Sequence, residues 1–223
     1  MASINNIKLI CFDLDGTLVD SVPDLRLALN AMLDQFQLPH CQDREIKKWV
    51  GNGLPKLVER ALKYVGKTDV DQPFFVAALN LFEQHYQHYL NSASCLYEGV
   101  AETLQVLKER GYKIALITNK AEQFLADLLA GFEIADHFDL LLGGDTLAKN
   151  KPDPMQVDYA CKHFAVSKTK TVMVGDSLND ILAGQNANVR TIAVTYGYNY
   201  GKSVATLNPD FIINQFNELL ELL

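Results

Sequence analysis

Two aspartates two positions apart, Asp13 and Asp15, follow the apolar run Ile7-Lys8-Leu9-Ile10-Cys11-Phe12 and open the string Asp13-Leu14-Asp15-Gly16-Thr17. A run with a single charge reads as a parallel strand covered on both faces. The carboxyl ends of such strands are where open α/β sheets hold ligands. Residues two apart on an extended bend point the same way, so both carboxylates can converge on one reacting group, one attacking while the other handles a proton. A carboxylate that attacks phosphorus becomes an aspartyl phosphate, and Gly16 lets backbone N–H groups approach an anion closely. The same residues also suit a plain Asx turn, in which the first aspartate accepts backbone N–H bonds and the second is solvated.

Three further segments occupy equivalent places. Thr118-Asn119-Lys120 ends the apolar run Ile114-Ala115-Leu116-Ile117, where a hydroxyl and fresh helix-start N–H groups suit phosphate oxygens; Thr118 can equally cap the helix that follows. In Lys151-Pro152-Asp153-Pro154 the prolines fix the backbone around a lysine that is otherwise an ordinary loop cation. Val172-Met173-Val174-Gly175 runs into Asp176, with Asp180 four residues on. Asp176 can ligate a hard cation, and Asp180 can hold a ligand or a lysine in position, unless both serve only as helix caps.

The elements that must position these groups alternate. From Tyr97 onward the pattern predicts helix Val100 to Arg110, strand Lys113 to Thr118, helix Ala121 to Leu129, strand Asp139 to Leu142 and helix Met155 to Phe164. Strand Thr171 to Gly175, helix Asn179 to Ala187, strand Thr191 to Val194, a short strand Phe211 to Ile213 and a helix from Gln215 follow. Strands separated by single helices imply a parallel α/β sheet. Between the first motif and this region only helices are expected: one from Ser21, a plausible N-cap, then Arg44 to Val50, Lys56 to Val65 and Pro73 to Leu90. The chain therefore divides into a Rossmann-like core, residues 1–20 and 93–223, and a helical cap, residues 21–92, inserted after the first strand.

With 223 residues, 48% of them hydrophobic, there is ample material for a buried core. No apolar stretch reaches the roughly 20 residues of a membrane span and the amino terminus lacks a secretory layout, so a cytoplasmic location is expected. The four scattered cysteines indicate neither a zinc site nor a disulfide framework. A formal charge of −7 argues against nucleic-acid or anionic-membrane partners. It also means that an anionic substrate meeting several aspartates needs a divalent cation and a placed lysine. His85 and His88 share a helix face, but no third ligand accompanies them.

The four motifs in their order, Asp13 to Thr17, Thr118, Lys151-Pro152 and Gly175-Asp176 with Asp180, resemble those of the haloacid dehalogenase superfamily over almost the whole chain. The resemblance implies a sheet of order 5-4-1-2-3, Asp13 as nucleophile, Asp15 as general acid then base, and Thr118 and Lys151 as phosphate and charge stabilisers. It also implies Mg²⁺ held by Asp13, the Asp15 carbonyl and Asp176, with Asp180 behind. Dehalogenase members lack a carboxylate at the Asp15 position, so the pattern implies a phosphatase. Within the superfamily, Trp49-Val50-Gly51-Asn52-Gly53, Gly143-Gly144-Asp145 and Tyr196-Gly197-Tyr198-Asn199-Tyr200-Gly201 are similar to segments of bacterial phosphoglycolate phosphatases. That implies a small phosphorylated metabolite, 2-phosphoglycolate first, as substrate; a β-phosphoglucomutase-like mutase or a sugar-phosphate phosphatase is the alternative. Gly16, Asn119 and Asn52 are the expected substrate or phosphate contacts, although the Asn52 loop also reads as an ordinary helix connection and Lys56 or Arg60 could meet a substrate carboxylate. The tyrosine-rich loop reads as structural. Nothing in the sequence sets the oligomeric state.

Overall fold

A computed structural model describes residues 4–223; residues 1–3, assigned above to the core, lie outside the described residues. The chain runs β1 (Leu9–Phe12), β2 (Val19–Asp20), α1 (Val22–Gln35), α2 (Asp43–Ile46), α3 (Leu54–Tyr64), α4 (Gln72–Tyr89), β3 (Cys95–Leu96), α5 (Val100–Glu109) and β4 (Lys113–Ile117). It continues through α6 (Leu125–Gly131), β5 (Leu140–Leu142), α7 (Met155–His163), β6 (Thr171–Gly175), α8 (Leu178–Ala187), β7 (Arg190–Val194), β8 (Phe211–Ile213) and α9 (Leu219–Leu222), with short 3-10 turns between.

Six strands form one sheet of order β5-β4-β1-β6-β7-β8, every neighbouring pair parallel. Counting β1, β4, β5, β6 and β7 as first to fifth, the implied order 5-4-1-2-3 is this one read from the β7 side; the sheet differs in having β8 beyond β7 as a sixth member. β1 lies at its centre because all four of its side chains are apolar and buried, a composition only an inner strand can use. Ile10 and Phe12 pack on one face with Val100, Leu104, Leu125 and Leu219 of the helices there, while Leu9 and Cys11 face Val157, Ala160 and Ala183 on the other. Phe12 stacks against Phe216 at 5.5 Å between ring centroids, and its loss to alanine would cost about 3–5 kcal/mol. Burial also pushes the Cys11 thiol far above its ordinary range, so it acts as an apolar filler.

The helices α1 to α4 build a second core around Leu25, Leu29, Met32, Phe82 and Tyr86, which Phe124 and Tyr198 enter from the sheet-bearing half. α3 has apolar positions 54, 57, 58, 61 and 62 buried on one stripe, the spacing of an amphipathic helix.

Three expectations give way locally. Ser21 does not cap α1: it already has near-helical dihedrals (φ −89°, ψ −6°), whereas a capping serine needs extended backbone. The helix expected over Arg44 to Val50 is regular only over Asp43–Ile46, because the chain is turning toward Gly51 and Gly53, at φ +111° and +81°. The connections between the two halves, expected to contain no strand, include the antiparallel ribbon of β2 with β3, whose two-residue strands are too short to show a period.

Candidate active site

Register brings the chemistry together. Phe12 pairs with Leu116 on one side and Val174 on the other, so the chain leaves three adjacent strands at one level, at Asp13, at Thr118 and at Gly175-Asp176. The Asp13 N–H donates to the Val174 carbonyl (3.0 Å) and that of Thr118 to Leu142 (3.0 Å), which extends the ladder to the candidate site residues themselves.

Lys151 lies between two aspartates, its Nζ donating at 2.6 Å to Asp13 Oδ1 and at 2.6 Å to Asp180 Oδ1. Asp180 spends its other oxygen on the N–H (3.0 Å) and hydroxyl (2.7 Å) of Ser177, so it steadies the start of α8 and the lysine together. Burial, followed by the Asp180 charge, raises the Asp13 carboxyl to about 7 despite the lysine beside it. Burial opposes the Lys151 charge, but Asp13 and Asp180 more than offset it and hold the ammonium above its usual range.

Asp176 completes the acidic cluster. Its Oδ2 accepts the N–H groups of Tyr198 (2.6 Å) and Asn199 (3.3 Å), and its Oδ1 the Thr17 hydroxyl (3.3 Å). Burial, then the charges of Asp180 and Asp13, hold its carboxyl well above the ordinary range. Asp13, Asp176 and Asp180 each offer an oxygen within 4.8 Å of the others. With all four carboxylates ionised, counting Asp15, they exceed the two ammonium groups, Lys120 and Lys151, by two negative charges among hard oxygen donors, and the raised Asp13 and Asp176 carboxyls reflect that excess. That donor set fits a divalent cation of the Mg²⁺ kind.

Glycines here are spacers. A Cβ on Gly16 (φ +93°) would sit 2.6 Å from Asp176 Oδ2, and one on Gly197 2.4 Å from the Gly16 carbonyl. The Gly16 N–H itself donates to the Val19 carbonyl (2.9 Å). Gly16, expected to let backbone N–H groups approach an anion closely, has its own N–H engaged with Val19 and leaves the room that the Asp176 carboxylate occupies.

Lys120 carried no role in the sequence reading. Its side chain is 1% exposed, and Nζ contacts both oxygens of Asp15, at 3.0 and 3.2 Å, while lying 4.7 Å from the centre of the Tyr86 ring of α4. The available signal was charge balance: a cluster of four carboxylates needs more than one cation, and Lys120 directly follows Thr118-Asn119 at a strand end. Asn119 behaves as a clamp. Its amide donates to the carbonyls of Gly51 (2.8 Å) and Lys151 (2.9 Å), and Asn179 also donates to Gly51 (2.7 Å). Thr118 Oγ1 accepts the Lys120 N–H (3.2 Å).

A cavity of about 30 Å³ lies between the halves, lined by Asp13, Asp15, Thr118, Lys151 and Asp176 below and by Leu25, Val50, Gly51, Gly53, Leu54 and Leu57 above. Asn52 is not in this lining and lines an outer groove with Pro55 and Glu83, while Gly51 and Gly53 on either side of it, at positive φ, do line the cavity. Lys56 pairs with Glu59 (2.7 Å), and Arg60 donates to the Trp49 carbonyl (2.5 Å); both are absent from the lining. The tyrosine-rich loop does more than pack: besides the N–H groups given to Asp176, the Tyr198 hydroxyl donates to Asp20 (2.6 Å), Tyr196 to the Thr17 carbonyl (2.9 Å), and Tyr200 accepts from Asn179 (2.9 Å). His85 stacks on Tyr89 and His88 meets the same ring edge-on. Among the described residues the acidic cluster is the metal-suited group that emerges, and neither histidine belongs to it. No helix of the described residues is long and apolar enough to cross a membrane.

Comparison with known proteins agrees with this geometry. Residues 10–194 match the family model described as haloacid dehalogenase-like hydrolase. The chain is 45% identical to a phosphoglycolate phosphatase of Colwellia psychrerythraea, covering 96% of this chain and 95% of the relative. It is 42% identical to one of Haemophilus influenzae, covering 97% and 98%. A crystal structure from Haemophilus somnus, described as a predicted phosphoglycolate phosphatase, superposes with a TM-score of 0.94 at 36% identity, covering 98% of this chain and 99% of that one.

Proposed function

The chain belongs to the haloacid dehalogenase-like hydrolase family, and we propose that it is a Mg²⁺-dependent phosphomonoesterase that hydrolyses 2-phosphoglycolate to glycolate and phosphate through an aspartyl phosphate on Asp13. The observation that carries the chemistry is the pair of aspartates at one strand end, each held by its own buried lysine. The named relatives carry the choice of ester.

An Asp13 carboxylate oxygen attacks phosphorus as the ester P–O bond breaks, and Asp15 gives its proton to the departing glycolate oxygen. Water then attacks the phosphorus of the acyl phosphate, Asp15 takes a proton from it, and the bond to Asp13 breaks to return the carboxylate and release phosphate. Proton handling of this kind contributes on the order of 10²- to 10⁴-fold. An alkoxide needs that proton and a halide would not, so a carboxylate at position 15 favours phosphate esters. Lys151 and the Thr118 hydroxyl line the cavity beside Asp13 and suit the charge of the transferred group. Asp13, the Asp15 carbonyl and Asp176 would hold Mg²⁺, with Asp180 behind them; when bound, the ion offsets the crowded negative charge and polarises phosphoryl oxygens.

Residues 21–92 act in this reading as a cap. A cavity of about 30 Å³ holds a water or two and no phosphate ester, so substrate entry requires the helical half to swing away, with the β2–β3 ribbon as the natural pivot. Closure excludes water by seating the Gly51 carbonyl on Asn119 and Asn179.

The test is a panel of small phosphate esters with Mg²⁺. Phosphate release fastest from 2-phosphoglycolate is expected; isomerised sugar phosphate without phosphate release would overturn the hydrolase reading.

A further inference from the structure

We propose that Lys120 is a positioning residue for Asp15: it fixes the plane of the acid–base carboxylate, and through Tyr86 it ties that plane to the helical half of the molecule. The inference rests on the acid–base reading of Asp15 and adds a residue to it.

An aspartate that first donates to a leaving oxygen and then accepts from water must keep one orientation, yet the last torsion of an aspartate side chain is soft and broad. Asp15 therefore needs an external partner. Lys120 touches both of its oxygens, at 3.0 and 3.2 Å, so rotation of the carboxylate breaks at least one contact. The lysine is itself held at both ends. Its N–H donates to Thr118 Oγ1 (3.2 Å) and its carbonyl accepts from the Gly144 N–H (2.7 Å), a contact close enough that a Cβ on Gly144 would come 2.4 Å from the neighbouring Asn119 carbonyl. Its ammonium lies against the Tyr86 ring, a favourable seat for a desolvated cation, and that ring meets Phe124 edge-on at 5.0 Å between centroids. Tyr86 belongs to α4 and Phe124 to the turn after Lys120. Movement of α4 would therefore disturb the Lys120 ammonium, and through it Asp15, directly, whereas the Lys151 ammonium contacts Asp13 and Asp180 and no side chain of α4.

The test compares Lys120→Met with Asp15→Asn on two esters: 2-phosphoglycolate, whose alkoxide leaves with a proton, and p-nitrophenyl phosphate, whose phenolate leaves without one. Lys120→Met should lower kcat on 2-phosphoglycolate roughly 10- to 100-fold with KM changed by less than about threefold. On the aryl ester it should keep a first-turnover burst of about one nitrophenolate per folded site and then turn over slowly. Lys120→Gln, which keeps stem length and one donor, should fold even where the methionine variant does not and show the same split at smaller size. Equal losses on both esters with no burst, or a kcat unchanged in both variants, would overturn the proposal. If Asp15→Asn itself shows no split between esters, the acid–base reading falls; if it does and both Lys120 variants do not, the Lys120 assignment alone falls.

Discussion

Lys151 and Lys120 are both buried and both paired with an aspartate of the first motif, Lys120 from the turn after β4 and Lys151 from the loop between β5 and α7, yet they are anchored differently. Lys151 is enclosed by the sheet-bearing half, between Asp13 and Asp180. Lys120 faces the helical half, with a cap-side tyrosine against its ammonium. Among the described residues, the ammonium of the first touches no side chain of the helical half, which reaches that lysine only through its backbone and the Asn119 bridge to Gly51; the ammonium of the second lies directly against one. On the proposed mechanism, the nucleophile's lysine would depend less on the position of the helices than the lysine of the acid–base group.

The largest effect that could break this contrast is expected at Lys151. Lys151→Met leaves Asp13 and Asp180 facing each other without a cation and should destabilise the protein by about 3–5 kcal/mol in a denaturant titration. It should also suppress turnover of alkyl and aryl esters alike, because phosphorylation of Asp13 fails first; a leaving-group split like that expected of Lys120→Met would make the two lysines equivalent.

Next in size is the metal. Gly16→Ala forces a Cβ to within 2.6 Å of Asp176 Oδ2 at φ +93°, and displacing a carboxylate in this way should weaken Mg²⁺ roughly 10- to 100-fold in calorimetric titration. Unchanged affinity would remove Asp176 from the proposed ligand set.

A smaller effect concerns the charge the two lysines leave uncompensated. Asp13 is raised from its ordinary 3.8 to about 7 by burial and by Asp180, and Asp176 is raised as well. A group raised on folding adds stability that is complete below its unfolded value and is lost as pH climbs through its folded value. Chelated protein should therefore melt at a lower temperature at about pH 8 than at about pH 5 on account of these groups, and Mg²⁺, which binds the ionised carboxylates, should narrow or reverse the difference. Melting that is flat with pH in chelator, or equally pH-dependent with Mg²⁺, would contradict the cluster's electrostatics.

The smallest effect is assigned to Asn52. Because Asn52 lines an outer groove and not the cavity that holds Asp13 and Asp15, Asn52→Ala should change kcat/KM by less than about twofold. A tenfold loss would show that closure around substrate brings it inward.

What the sequence made legible follows from the range of each interaction. The strand-end motifs are local: an apolar run stops, a carboxylate follows, and sheet register does the rest, so Asp13, Asp15, Asp176 and Asp180 could be read in line. Asp180, read in line as able to hold a lysine in position, makes that contact with Lys151 at 2.6 Å. Lys120 and the Asn119 clamp depend on the helical half folding back over the sheet, a contact between residues far apart in the chain with no periodic signature. The ribbon of β2 and β3 escaped for a related reason, since two-residue strands exist only through their pairing. The room that Gly16 leaves for the Asp176 carboxylate was likewise invisible in line, because the two residues meet only across the sheet.

The central claim is that Asp13 is esterified during turnover, and crystals soaked with Mg²⁺ and fluoroberyllate test it directly. The account predicts a tetrahedral adduct on an Asp13 carboxylate oxygen with the ion between Asp13 and Asp176. An adduct on another residue, or an Asp13 free of adduct in crystals that still bind the ion and turn over substrate, would contradict it.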